Sequence, residues 1–149
     1  MYHSDEAYRN LVQIDEIVSN EGKKQKFYQC GKKEIIFPNG VKREVWTDGY
    51  QVVFFQNQDI KQTFPGGKIV YFFSEAKTTQ TTFPDGLQVF KFQNNQIEKH
   101  FPDGTKEISF PDGTVKCLFS DGEEESIFPD GTIQKIEKTG LRIIEYSHG

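Results

Sequence analysis

An aromatic residue recurs every nine positions through most of this chain, at Tyr28, Phe37, Trp46, Phe55, Phe64, Phe73, Phe83, Phe92, Phe101, Phe110, Phe119 and Phe128, with Tyr146 closing the series. Glycine stands three residues after most of these anchors, as in FPDGTKEISFPDGTVKCLF. A fixed short period marks a repeat architecture, in which each unit is one supersecondary element. Nine residues cannot hold a crossover helix, so successive strands must run antiparallel. The turn chemistry is specific. Proline suits the first corner of a type I turn, Asp the second, and Gly the left-handed position that follows, which together make a three-residue hairpin loop with a glycine bulge. Between loops, segments such as TKEISF and TVKCLF alternate in the manner of strands.

These features predict an all-β fold: a single, elongated, free-standing antiparallel meander of about 13 strands, each about six residues long. With a three-residue loop, successive Phe anchors point to opposite faces of the sheet. A two-residue Asp-Gly turn would put them all on one face and favour a sandwich or barrel. The composition supports a thin object. There are 14 Phe, 6 Tyr and 1 Trp, yet only 35% of residues are hydrophobic, which predicts cross-strand pairing and no central core.

Before the repeats, SDEAYRNLVQIDEIVSNEG spaces Tyr8, Leu11, Ile14 and Ile17 or Val18 at helical intervals after Ser4, a possible N-cap. This predicts a short amphipathic helix over residues 5–18 that caps the first sheet edge, so that residues 1–24 form an N-terminal segment and 25–149 the repeat domain.

Composition narrows the chemistry. A net charge of -4 with no basic patch disfavours nucleic acid. No apolar stretch reaches membrane-spanning length and the N-terminus lacks a signal-peptide pattern, which leaves no membrane partner and a cytoplasmic address. Cys30 and Cys117 have no CxxC partner and read as ordinary thiols, so no structural metal is indicated. Turns with a single Asp lack the second carboxylate of a calcium β-roll. His3, His100 and His148 are scattered, and no Ser or Cys sits in a nucleophile motif. The reading is therefore not an enzyme, with no cofactor and no catalytic residue.

The repeat breaks its own rule in one region. Glycine is replaced at Gln58, Ala76 and Asn95, the spacing slips across SEAKTTQTT, and apolar residues double up in VVFF, IVYFF and LQVFKF. Such departures are where function is expected.

The stretches IIFPNGVKREV, KTTQTTFPDGLQVF, QIEKHFPDGTKEI and FSDGEEESIFPDGTI closely resemble the C-terminal G-box, or TCP, domain of the centriolar scaffold CPAP family, from about Lys32 to Tyr146. That resemblance implies a noncatalytic module that captures a proline-rich segment of a STIL-type partner in centriole assembly and duplication, located at the centrosome. It also implies that the repeats continue past Gly149. By resemblance, the aromatics that hold the prolines fall on Phe55, Tyr71 and Phe92, and a carboxylate that contacts the peptide is Glu98. Aromatic rings on a rigid sheet suit this task independently, because a polyproline helix is preformed and stacks at little ordering cost. An alternative role is a structural spacer that self-associates through its sheet edges.

Overall fold

The computed structural model describes residues 11–146, and the chain divides into two compact units that meet between Ser74 and Glu75. The first unit holds β1 (Gln13–Val18), β2 (Lys24–Tyr28), β3 (Lys33–Ile36), β4 (Lys42–Val45), β5 (Gln51–Phe54), β6 (Ile60–Thr63) and β7 (Ile69–Phe73). The second holds β8 (Thr78–Thr82), β9 (Gln88–Lys91), β10 (Ile97–His100), β11 (Lys106–Ser109), β12 (Val115–Leu118), β13 (Glu124–Ile127), β14 (Ile133–Ile136) and β15 (Arg142–Glu145). All fifteen belong to one open antiparallel sheet whose strand order is the order of the chain. Within each unit the strands touch only their neighbours in sequence, so each unit is one layer thick.

The loops are built as the turn residues dictate. In WTDGY, Trp46 N–H donates to the Tyr50 carbonyl (2.8 Å) and Gly49 N–H to the Trp46 carbonyl (3.1 Å). Gly49 takes φ of 95°, the left-handed conformation that closes the bulge. The Asp48 carboxylate accepts the Tyr50 N–H (2.9 Å), and the Asp residues of other turns repeat this bond.

Register then assigns the faces. From β2 to β7 every paired position joins odd to odd and even to even numbers. Paired residues share a face, so Phe37, Phe55 and Phe73 lie on one side, here the front, and Tyr28, Trp46 and Phe64 on the back. The second unit alternates in the same way. Alternation removes the two-residue-turn alternative.

Three expectations are corrected. The N-terminal helix is absent over its described part: Gln13–Val18 is strand β1, paired with β2, and the rest of the expected helix, residues 5–10, lies outside the described residues. A ladder on an open edge pairs backbone groups along one side of QIDEIV, with a register shift at Ile14, and Ile14, Ile17 and Val18 are β-branched and weak helix formers. Tertiary pairing here outweighs a pattern that a helix and a strand both satisfy. Among the described residues the strands number fifteen and most are four residues long, because most anchors belong to the loops. Finally, the first unit does have a small buried cluster on its back face, formed by Trp46, Tyr50 and Val52, with Leu11, Phe54, Ile60 and Phe64 packed against it.

The irregular turns carry backbone strain. Gln58 and Asn95 occupy the glycine slot with φ of 73° and 72°, whereas in the slipped turn the left-handed residue is Lys77 (53°), not Ala76. A left-handed residue with a Cβ costs about 1–2 kcal/mol, less for Asn, and glycine returns part of this as chain entropy. Gln58→Gly is therefore expected to stabilise the protein by about 0.5 kcal/mol and Asn95→Gly by less. Urea unfolding decides it, and a lower midpoint for Gln58→Gly would refute the strain.

Candidate functional site

The front face of the first unit gathers rings. Phe55, just beyond β5, and Tyr71 on β7 have ring centroids 6.0 Å apart, and Tyr71 lies 4.4 Å from Phe73. All three are half-buried, with one surface covered by the sheet and the other open. Tyr71 is held in place by its hydroxyl, which donates to Asp59 Oδ2 (2.7 Å), while the Ser74 N–H donates to Asp59 Oδ1 (2.8 Å). The Ser74 bond and then the Tyr71 bond keep the Asp59 carboxyl below its ordinary range, and the same carboxylate pushes the Tyr71 hydroxyl up. The clamp is thus intact above the usual Asp range and is lost as pH falls through the depressed value. Two cavities flank Phe55. One, of 320 Å³, is bordered by Phe37, Val41, Val53, Arg43 and Lys61; the other, of 310 Å³, by Asn39, Val41, Asn57 and Tyr71.

In the second unit Phe92 and Glu98 line one open cavity of 320 Å³ together with Ala76, Thr78, Asn94 and Gln96. Glu98 on β10 is fixed by two neighbours: Gln96 Nε2 donates to its Oε2 (3.0 Å), and His100 Nε2 lies 3.2 Å from its Oε1. His100 rests on the Phe90 ring at 4.7 Å, and Phe90 stacks with Phe92 at 6.4 Å. A carboxylate so oriented has little freedom to lose when it accepts a bond from a ligand.

The four residues singled out by sequence therefore form two pairs, Phe55 with Tyr71 in the first unit and Phe92 with Glu98 in the second. Each stands at the surface of a thin sheet, where a ring can stack on an apolar ligand and a carboxylate can accept a hydrogen bond or pair with a cation. Sequence reasoning missed Asp59, which positions Tyr71. A signal was present: Asp59 directly follows the glycine slot, where no other unit carries Asp. Among the described residues no group of three or more His, Cys, Asp or Glu is placed to hold a metal ion.

The family model of the T-complex protein 10 C-terminus matches residues 84–117 and 120–149. The TCP10 domain of Danio rerio CPAP, solved with a peptide of Danio rerio STIL, shares 46% identity, covering 86% of this chain and 71% of that one, with a TM-score of 0.77. The G-box domain of the microcephaly protein CPAP, a structure that suggests a role in centriole elongation, shares 48% identity over 80% of this chain and 78% of its own, with a TM-score of 0.78. The TCP domain of Drosophila melanogaster SAS-4, solved with a proline-rich motif of Ana2, is 26% identical, covering 90% and 96% of the two chains, with a TM-score of 0.65. No match is found among curated proteins.

Proposed function

The chain belongs to the family of CPAP TCP10, or G-box, domains, and from that premise we propose that it is a noncatalytic scaffold module that binds a proline-rich segment of a STIL-type partner at the centriole. Residues 25–149 carry recognition in this reading, and β1 pairs with the otherwise free edge of β2. The observation that carries it is the Phe55–Tyr71 ring pair, half-exposed on a sheet one layer thick and anchored by Asp59. Rings held rigidly at a surface with no second layer have apolar area available for a visitor. Proline rings, already fixed in an extended helix, use that area at low entropic cost. A relative of this fold was solved with a proline-rich motif bound, which agrees with that chemistry. Glu98 supplies the polar contact in the second unit, with Phe92 beside it.

Titration calorimetry with a proline-rich STIL peptide tests the reading. Tyr71→Ala and Glu98→Val are each expected to weaken binding about tenfold, the loss of one good contact, while the β signal in circular dichroism stays the same. Unchanged affinity in both variants would reject these residues as the site.

A further inference from the structure

We propose that Arg43 and Lys61 act together as a cation pair that selects acidic side chains spaced three residues apart in the proline-rich partner. The inference rests on the proline-binding reading above and adds a second demand on the peptide's sequence.

Register draws one continuous row across the front face of the first unit: Ile35 opposite Arg43, Arg43 opposite Val53, Val53 opposite Lys61, and Lys61 opposite Tyr71. A neighbouring row of the same face holds Phe37, Phe55 and Phe73. The 320 Å³ cavity lies along both rows, with Phe37, Val41, Val53 and Phe55 as its apolar lining and Arg43 and Lys61 as its charged one. Among the described residues neither Arg43 nor Lys61 forms an ion pair. On the opposite face, by contrast, Lys32 and Lys42 are both paired with Glu34 and Glu44. Asp59, on the same face as Lys61, is engaged by Tyr71 and Ser74. Two cations without carboxylate partners beside an apolar groove are the electrostatic complement of an anionic ligand.

The spacing specifies that ligand further. Arg43 and Lys61 stand on alternate strands, about 9.6 Å apart at the Cα atoms, twice the strand spacing. Phe37, Phe55 and Phe73 have the same alternate-strand spacing. A polyproline helix presents the same side every three residues, after about 9.3 Å. A peptide in that conformation laid across the strands therefore sets every third residue over a ring, and a second set of every-third residues toward Arg43 and then Lys61. The two periods differ by about 0.3 Å per step, which long cationic side chains absorb. Proline at one position of the triplet and Asp or Glu at another is the sequence this face complements.

Three fluorescein-labelled decapeptides test this by anisotropy: PSSPSSPSSP, PSEPSEPSSP and PSKPSKPSSP, each with blocked ends. The glutamate peptide is expected to bind about fivefold tighter than the serine peptide, and the lysine peptide weaker than both. This preference shrinks as ionic strength rises toward about 0.5 M. It is lost in Arg43→Gln/Lys61→Gln and turns toward the lysine peptide in Arg43→Glu/Lys61→Glu. Equal affinity of the wild-type protein for all three peptides, each weakened by Phe55→Ala, overturns the acidic requirement and leaves proline recognition standing. Failure of all three to bind overturns both. The wild-type comparison needs no variant to fold.

Discussion

Trp46→Ala is expected to lower the unfolding free energy by about 3 kcal/mol, at the lower end of the range for deleting a large buried aromatic. Trp46 is 7% exposed and lies at the centre of the buried cluster described on the back face, beside Tyr50 and Val52. A single-layer sheet gives its side chains few neighbours, so a large ring lying over adjacent strands supplies packing that no second layer provides. Tyr50 packs at a tilt against Phe64, with ring centroids 5.3 Å apart, and its hydroxyl accepts a bond from Gln62 Nε2 (2.9 Å), so losing the indole loosens a group that reaches from β4 to β6. Chemical denaturation followed by far-ultraviolet circular dichroism measures the loss. Trp46→Phe, which retains a ring, is expected to cost about 1 kcal/mol. A midpoint for Trp46→Ala equal to wild type would show that the cluster contributes nothing.

Lys32→Met has the second large expected effect, also about 3 kcal/mol, the cost of removing one member of a buried ionic group. Glu34 and Glu44 are direct cross-strand partners, an arrangement that repels unless cations intervene. Lys32 Nζ lies 3.7 Å from Glu34 Oε2 and 3.6 Å from Glu44 Oε1, and Lys42 closes the other side at 3.3 and 3.2 Å. Lys32 also sits over the rings of Tyr28 and Trp46, at 5.0 and 5.1 Å from their centroids. With only 3% of its surface exposed, Lys32 cannot be replaced by water. Its loss leaves two facing carboxylates, and Glu44 Oε2 is buried without a hydrogen-bond partner among the described residues. Glu44→Gln in the same chain is expected to recover part of the loss, because it removes one of the two opposed charges. An additive double variant would refute the coupling.

The pH dependence of this group has a definite sign. Burial pushes the Glu34 carboxyl up, but the charge of Lys42, the bond from Tyr28 and the charge of Lys32 outweigh it and hold the carboxyl below its ordinary value. A depressed carboxylate stabilises the fold above its unfolded pKa and ceases to do so as pH falls through the folded value. The wild type therefore loses stability in acid, and the deficit of Lys32→Met narrows there, since fewer carboxylates need the missing cation. At the alkaline end, burial and then the Glu34 bond push the Tyr28 hydroxyl from 10.0 up to about 12. That contribution is present below the unfolded value and fades as pH climbs through the folded one.

Much of the fold was open to reading from the chain alone, and the reason is locality. Pro-Asp-Gly sets a loop within four residues, the loop sets the face of the next anchor, and a meander repeats that step without distant contacts. The alternation of Phe37, Trp46 and Phe55 follows from it. Residues 13–18 show where locality fails: Ile14, Ile17 and Val18 fit a helical stripe, and only the unsatisfied edge of β2 makes a strand the better choice. The candidate site divides in the same way. Phe55, Tyr71, Phe92 and Glu98 were nameable in advance through the resemblance to the CPAP G-box domains, and the units that break the pattern lie in the same region. Arg43 and Lys61 read as ordinary polar strand residues until register sets them in one row, and the role of Asp59, despite its unusual place after the glycine slot, shows only once the fold brings its carboxylate to the Tyr71 hydroxyl.

The amino-acid order by itself determined the turn type, the antiparallel order of the strands and the alternation of rings between two faces, since each is settled by torsion angles within nine residues. Which charges are buried, which rings are clamped and which cations stay without a carboxylate was decided only by tertiary structure. Those properties belong to side chains carried by three or more strands, brought together across hydrogen-bonded ladders, and their energies depend on neighbours far away along the chain.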